Sequence, residues 1–134
     1  MKIRAAVLDR MQQAAPYAQS RPVSVETIHL GDPGPGEVRV RITAAGLCHS
    51  DLSIINGDRP RPMPMVLGHE AAGVVDECGP GVTDLARGDA VALVFVPSCG
   101  HCAPCQEGRP ALCEPGAAAN GAGTLVGGHR VLAR

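Results

Sequence analysis

Apolar and polar residues alternate with a period of two along much of this chain, which is the signature of half-buried strands. Residues 2–9 read as a first strand, and Val23 to Leu30, mixing β-branched and polar side chains, as a second. The sharpest alternation sets Val38, Val40, Ile42 and Ala44 against Arg39, Arg41 and Thr43, a strand ending at Gly46. Ala71 to Cys78 is small and apolar with one internal glycine, Gly73, and reads as a strand packed close against another backbone. Ala90 to Val96 is a continuous apolar run, which predicts a strand buried on both faces. Gly31–Gly36, Gly79-Pro80-Gly81 and Gly88-Asp89 punctuate these segments as turns, Asp89 fixing the entry to its strand. Ser50 to Asn56 suits a short helix, with Ser50 or Asp51 as its cap. The alternating prolines of Arg59–Pro64 force an extended connector, either a surface link or a wall of a cleft. The Gln-, Ala- and Pro-rich stretch after the first strand and the Gly/Ala-rich residues 116–128 read as loops, and Val131–Ala133 begins another strand. Many short strands joined by Gly/Pro turns imply a mainly β barrel or sandwich with short helices.

A chain of 134 residues is one domain's worth and can bury a modest core. With 45% apolar residues but only Tyr17 and Phe95 as aromatics, that core must be aliphatic. The net charge of −1, with no basic patch, gives no field for nucleic acid or an anionic membrane. No stretch approaches the ~20 apolar residues of a membrane span. The apolar run at the N-terminus is cut by Asp9, too soon for a secretory signal.

Six cysteines in a small secreted domain could form three disulfides, but their spacing here is that of a metal site. Cys99, Cys102, Cys105 and Cys113 read C-x2-C-x2-C-x7-C. Four thiolates close a tetrahedral zinc shell with no open position, so residues 98–113 are expected to form a structural-zinc lobe. Reduced, zinc-binding thiols point to a cytoplasmic protein. A second group lies upstream. Cys48-His49-Ser50-Asp51 and Gly68-His69-Glu70 offer one thiol, imidazoles and acids in two segments that only the fold can bring together. Zinc takes thiolate sulfur and neutral imidazole, and a nearby carboxylate orients the imidazole, so Cys48 and His69 are the expected ligands of a catalytic centre. Taken singly, each is as readily a core residue. Gly121-x-Gly123 fails as a dinucleotide fingerprint, since Val126 stands where glycine is needed. Cys78, His29, His101 and His129 sit in no motif.

Both groups resemble motifs of the zinc-dependent medium-chain alcohol dehydrogenases, in that family's order and spacing. The cysteine lobe resembles its structural-zinc lobe, and Gly68-His69-Glu70-Ala71-Ala72-Gly73 with Gly79 and Val82 its zinc signature. The resemblance spans nearly all 134 residues and implies the family's N-terminal GroES-like catalytic domain, a distorted barrel, truncated at its C-terminal end. It implies catalytic zinc held by Cys48 and His69, with Glu70 able to bind as water leaves. Asp51 would orient His69, Ser50 would take the proton from an alcohol, and His49 would touch the cofactor's phosphates. Ser53 stands where some members carry a histidine that passes the proton on. The implied reaction is hydride transfer between an alcohol and aldehyde pair and NAD or NADP, by a homo-oligomer when the enzyme is complete. The family's nucleotide-binding domain and third catalytic ligand lie outside this chain, so the isolated chain is expected to be inactive. The competing expectation is a zinc-binding interaction module without catalysis.

Overall fold

A computed structural model describes residues 1–133. The chain is mainly β, with two sheets and four short helices. Strands β1 (Lys2–Leu8), β2 (Val23–Leu30), β4 (Met65–Val66) and β7 (Leu132–Ala133) form one sheet in the order β4-β1-β2-β7. Strands β3 (Val38–Ala45), β5 (Ala71–Cys78) and β6 (Ala90–Leu93) form the other, in the order β3-β5-β6. All the pairings are antiparallel. The helices are α1 (Tyr17–Ser20), α2 (His49–Asn56), α3 (Ala103–Gln106) and α4 (Glu114–Ala122), and a 3-10 turn spans Pro110–Leu112.

The first two strands lie where the pattern puts them and pair in register from Lys2↔His29 to Leu8↔Val23. Ala5, Val7 and Ile28 form the core cluster between them, with Ile3 and Val66 packed alongside. The core is aliphatic, as the scarcity of aromatics requires. Gly73 is a close-approach position: a Cβ there would stand 2.4 Å from the carbonyl oxygen of Arg41 on the neighbouring strand. Asp89 fixes its turn by accepting a hydrogen bond from the amide of Ala86 at 2.8 Å.

Five local expectations are corrected. The stretch after β1 is not all loop, since α1 occupies Tyr17–Ser20. In β3, Ile42 is 49% exposed while Arg39 is half-buried, so the simple alternation of inside and outside fails. Register shifts at Arg39/Val40 and Ile42/Ala44 interrupt the period of two, and Arg39 is held between Asp32, Asp76 and Glu77. The run Ala90–Val96 is neither one strand nor buried. Its pairing with β5 ends at Leu93, and Val94 is 73% exposed because no second layer covers it. Residues 116–128 are not all loop, since α4 occupies Glu114–Ala122. Pro115 sits in its first turn, an Ala run follows, and Gly123 closes it at φ +68°. Finally, the N-cap of α2 is Cys48, not Ser50 or Asp51. Asp51 instead supplies the reciprocal half of a capping box, accepting from the Cys48 amide at 3.1 Å.

Two candidate metal centres and an adjoining cavity

The end of β3 and the start of α2 carry Cys48 to the edge of the second sheet. The Gly68-His69-Glu70 segment enters β5 beside it, and the amide of Gly46 donates to the carbonyl of Glu70 at 2.8 Å. This link draws together two segments that are 21 residues apart at Cys48 and His69. Ligand atoms of Cys48, His69 and Glu70 lie within 4.8 Å of one another. The residues fit a metal by the chemistry of that donor set: a thiol, an imidazole and a carboxylate with one side open.

Behind the donors, Asp51 is 7% exposed. Its Oδ1 lies 3.3 Å from Nδ1 of His69 and has no aligned hydrogen bond among the described residues. A buried carboxylate facing an imidazole holds the proton on Nδ1 and leaves the Nε2 lone pair free. Ser50 Oγ stands 3.1 Å from that Nε2. The Ser50 hydroxyl, then its backbone amide, then the neighbouring His69 side chain hold the Cys48 thiol below its ordinary value, favouring the thiolate that ligates metal. His49 is exposed on the first turn of α2, and its carbonyl accepts from Ser53 Oγ at 3.2 Å.

The four lobe cysteines likewise place their sulfurs within 4.8 Å of one another, and none is in a disulfide. Backbone amides converge on them. Cys99 Sγ accepts from His101 and Cys102, each at 3.4 Å, and Cys113 Sγ from Cys99 at 3.2 Å and Gly116 at 3.3 Å. The two amides on Cys99 lower its thiol to about 6, whereas burial pushes Cys105 up to about 11. A thiolate cradled by amides and surrounded by three more sulfurs fits a closed, four-sulfur metal site. The exposed His101 adds no ligand to that set.

A cavity of about 200 Å³ opens beside the first centre, with Ser50 and His69 in its wall. Arg59, Arg61, Phe95, Asn120 and Thr124 line it as well. Phe95 meets His69 edge to face at 4.9 Å between centroids, and the Arg59 guanidinium lies over the same ring at 5.6 Å. The proline connector therefore serves as a cleft wall. Of these residues, Phe95, Asn120 and Thr124 escaped sequence reasoning. Phe95 was concealed by the expectation of a buried strand, and the other two by reading 116–128 as loop. The one signal available was Phe95 itself, the single phenylalanine in the chain.

Residues 34–133 match the alcohol dehydrogenase GroES-like domain. The chain belongs to this family. The chain is 47% identical over 117 residues to alcohol dehydrogenase B of Mycobacterium tuberculosis, covering 86% of the chain and 31% of the relative. It superposes on a zinc-binding-domain alcohol dehydrogenase protein from Burkholderia ambifaria with a TM-score of 0.83 and 39% identity, over 98% of the chain and 33% of that structure. A thermostable alcohol dehydrogenase from Pyrobaculum aerophilum with bound cobalt and zinc matches at TM-score 0.69 and 36% identity, over 85% of the chain and 33% of that structure. The chain thus spans about a third of the length of these relatives. The family is one of oxidoreductases. No helix among the described residues is long and apolar enough to cross a membrane.

Proposed function

We propose that residues 1–134 are the catalytic domain of a zinc-dependent alcohol dehydrogenase, with residues 98–113 as its structural-zinc lobe. The observation that carries this reading is the open set of Cys48, His69 and Glu70, backed by buried Asp51 and lying against a cavity that Ser50 also lines. The metal-bearing relative supports it. Cys48, His69 and Glu70 would hold the catalytic zinc, and Cys99, Cys102, Cys105 and Cys113 the structural one. When bound, zinc acts as a Lewis acid that makes an alcohol hydroxyl easier to deprotonate.

The chain's own residues do the rest. Asp51 keeps the proton on Nδ1 of His69, so Nε2 is presented as a donor atom. Ser50 faces the cavity and is the group positioned to take the alcohol proton. His49, exposed at the start of α2, is available to a cofactor phosphate. Phe95 gives the cavity an apolar wall beside His69. A bound NAD or NADP would supply the hydride acceptor for the alcohol carbon, with His49 as the residue of this chain available to it. The substrate pair is an alcohol and its aldehyde, the compartment the reducing cytoplasm, and the complete enzyme a homo-oligomer. The 134-residue chain is expected to give no turnover by itself, since residues 1–134 carry no dinucleotide fingerprint to hold the nicotinamide cofactor.

Zinc counting tests the assignment. Elemental analysis of the chain beside Cys102→Ser and His69→Ala variants should find lobe zinc lost only in the first and any second zinc lost only in the second. Zinc retained in full by Cys102→Ser would remove the lobe, and zinc absent from fresh reduced protein would remove both centres. NAD-dependent oxidation of a simple alcohol by the purified chain would refute the expected inactivity.

A further inference from the structure

Two arginines face the cavity beside His69, and no acid answers them. Arg59 and Arg61 both line it, while none of the residues lining it is Asp or Glu. The same is true of the neighbouring cavity of about 360 Å³, which shares Arg61, Asn120 and Thr124. Among the described residues neither guanidinium forms an ion pair. Arg61 donates only to the carbonyl of Pro60, at 3.1 Å. Arg59 is stationed over Phe95, an interaction that uses the cation's face and leaves its in-plane N–H donors open. That ring is also the one His69 touches, so Phe95 links the guanidinium to the candidate catalytic imidazole. Among the described residues Arg39, Arg87 and Arg109 do form ion pairs, with Asp32, Asp76 and Glu77, with Asp76, and with Glu107 respectively. Alternating prolines at 60, 62 and 64 stiffen the segment that carries both residues, which lowers the ordering cost when they close on a ligand.

We propose that Arg59 and Arg61 form a carboxylate-binding subsite, so that the alcohol or aldehyde taken at the His69 centre carries a carboxylate a few bonds from its reacting carbon. The proposal rests on the alcohol dehydrogenase reading above. A planar guanidinium accepts a carboxylate through two parallel N–H···O bonds, a geometry that fixes direction as well as charge. Ser50 and His69 line the same cavity, so a short hydroxy acid can lodge its carboxylate on the arginines and its hydroxyl at the donors. Neutral alcohols lack the first anchor.

The test uses the full 134-residue chain, 15N-labelled, in zinc-containing buffer. It is titrated with 4-hydroxybutyrate, with the uncharged 4-hydroxybutyramide, and with inorganic phosphate, while backbone amide shifts are followed. 4-Hydroxybutyrate should shift the amides of Ser50, Gly68 and Thr124 and bind at least about tenfold more tightly than the amide. An Arg59→Met, Arg61→Met double variant should bind acid and amide alike, with unchanged zinc content and an otherwise unchanged spectrum. Arg59→Lys, which keeps charge but not the fork, should retain part of the preference. Arg61→Met alone serves if the double variant does not fold. Equal binding of acid and amide, both shifting Ser50 and Gly68, overturns the carboxylate subsite and leaves the alcohol reading standing. Shifts by neither compound at those amides overturn both. Displacement of 4-hydroxybutyrate by an equal concentration of phosphate also overturns the proposal, because the arginines would then be a phosphate site.

Discussion

Asp51 serves two groups at once, accepting from the Cys48 amide through one oxygen and facing His69 Nδ1 with the other. Replacing it with Asn keeps the size and removes the charge that fixes the imidazole. Asp51→Asn should therefore weaken zinc at the Cys48–His69 centre by roughly 10–100-fold and leave the lobe unaffected. Competition with a calibrated chelator measures this, and unchanged affinity would reduce Asp51 to a helix cap. The lobe thiols make a second prediction. Cys99, with its thiol near 6, is already ionised at pH 7, whereas Cys105, near 11, is not. Loading lobe zinc should therefore release more protons as pH falls through about 6, where Cys99 regains its own, until protons outcompete metal. A pH-indicator titration counts them. The metal-free fold follows the same sign. The contribution of Cys99, whose folded value is depressed, is complete above its ordinary value of 9.0 and fades as pH drops through about 6. Residue chemistry was the most legible level in the sequence. Thiol spacing and the paired Cys-His-Ser-Asp and Gly-His-Glu groups named every side chain that the fold gathers at the two centres.

Elements were legible where burial on one side enforces a period. β1, β2 and β5 lie where alternation or a close-approach glycine puts them. β6 and α4 do not, for opposite reasons. The apolar run after Ala90 loses its strand partner at Leu93, a tertiary fact with no local signal. The helix is capped by a cysteine sulfur, with Gly116 donating to Cys113, and cysteine is not a usual capping residue. The same glycine packs tightly: a Cβ there would meet the carbonyl oxygen of Pro97 at 1.8 Å. Gly116→Ala should consequently displace α4 and destabilise the chain by about 1–3 kcal/mol or more. Gly121→Ala, on the same helix with open space around it, should be neutral or mildly stabilising. Chemical denaturation of the pair distinguishes local crowding from helix propensity.

At the scale of the whole molecule, the sheets and the lobe draw on different sources of stability. β1 and β2 share a buried aliphatic cluster, whereas the lobe buries little besides Cys113. Stripping zinc with a strong chelator should abolish amide protection across residues 98–113 while the β1–β2 pairing keeps its own, as hydrogen exchange would report. Loss of protection in both at once would mean that the two units are cooperative.

Helix α4 joins these regions. One end rests on the Cys113 sulfur, and near the other Asn120 holds the carbonyl of Phe95 at 2.9 Å and lines the cavity. In an engineer's terms it is a strut with one foot in the metal lobe and the other in the pocket wall. Anyone shortening this domain by cutting away the lobe would thus be reshaping the pocket as well, and a redesign that keeps the pocket must first give the strut a new footing.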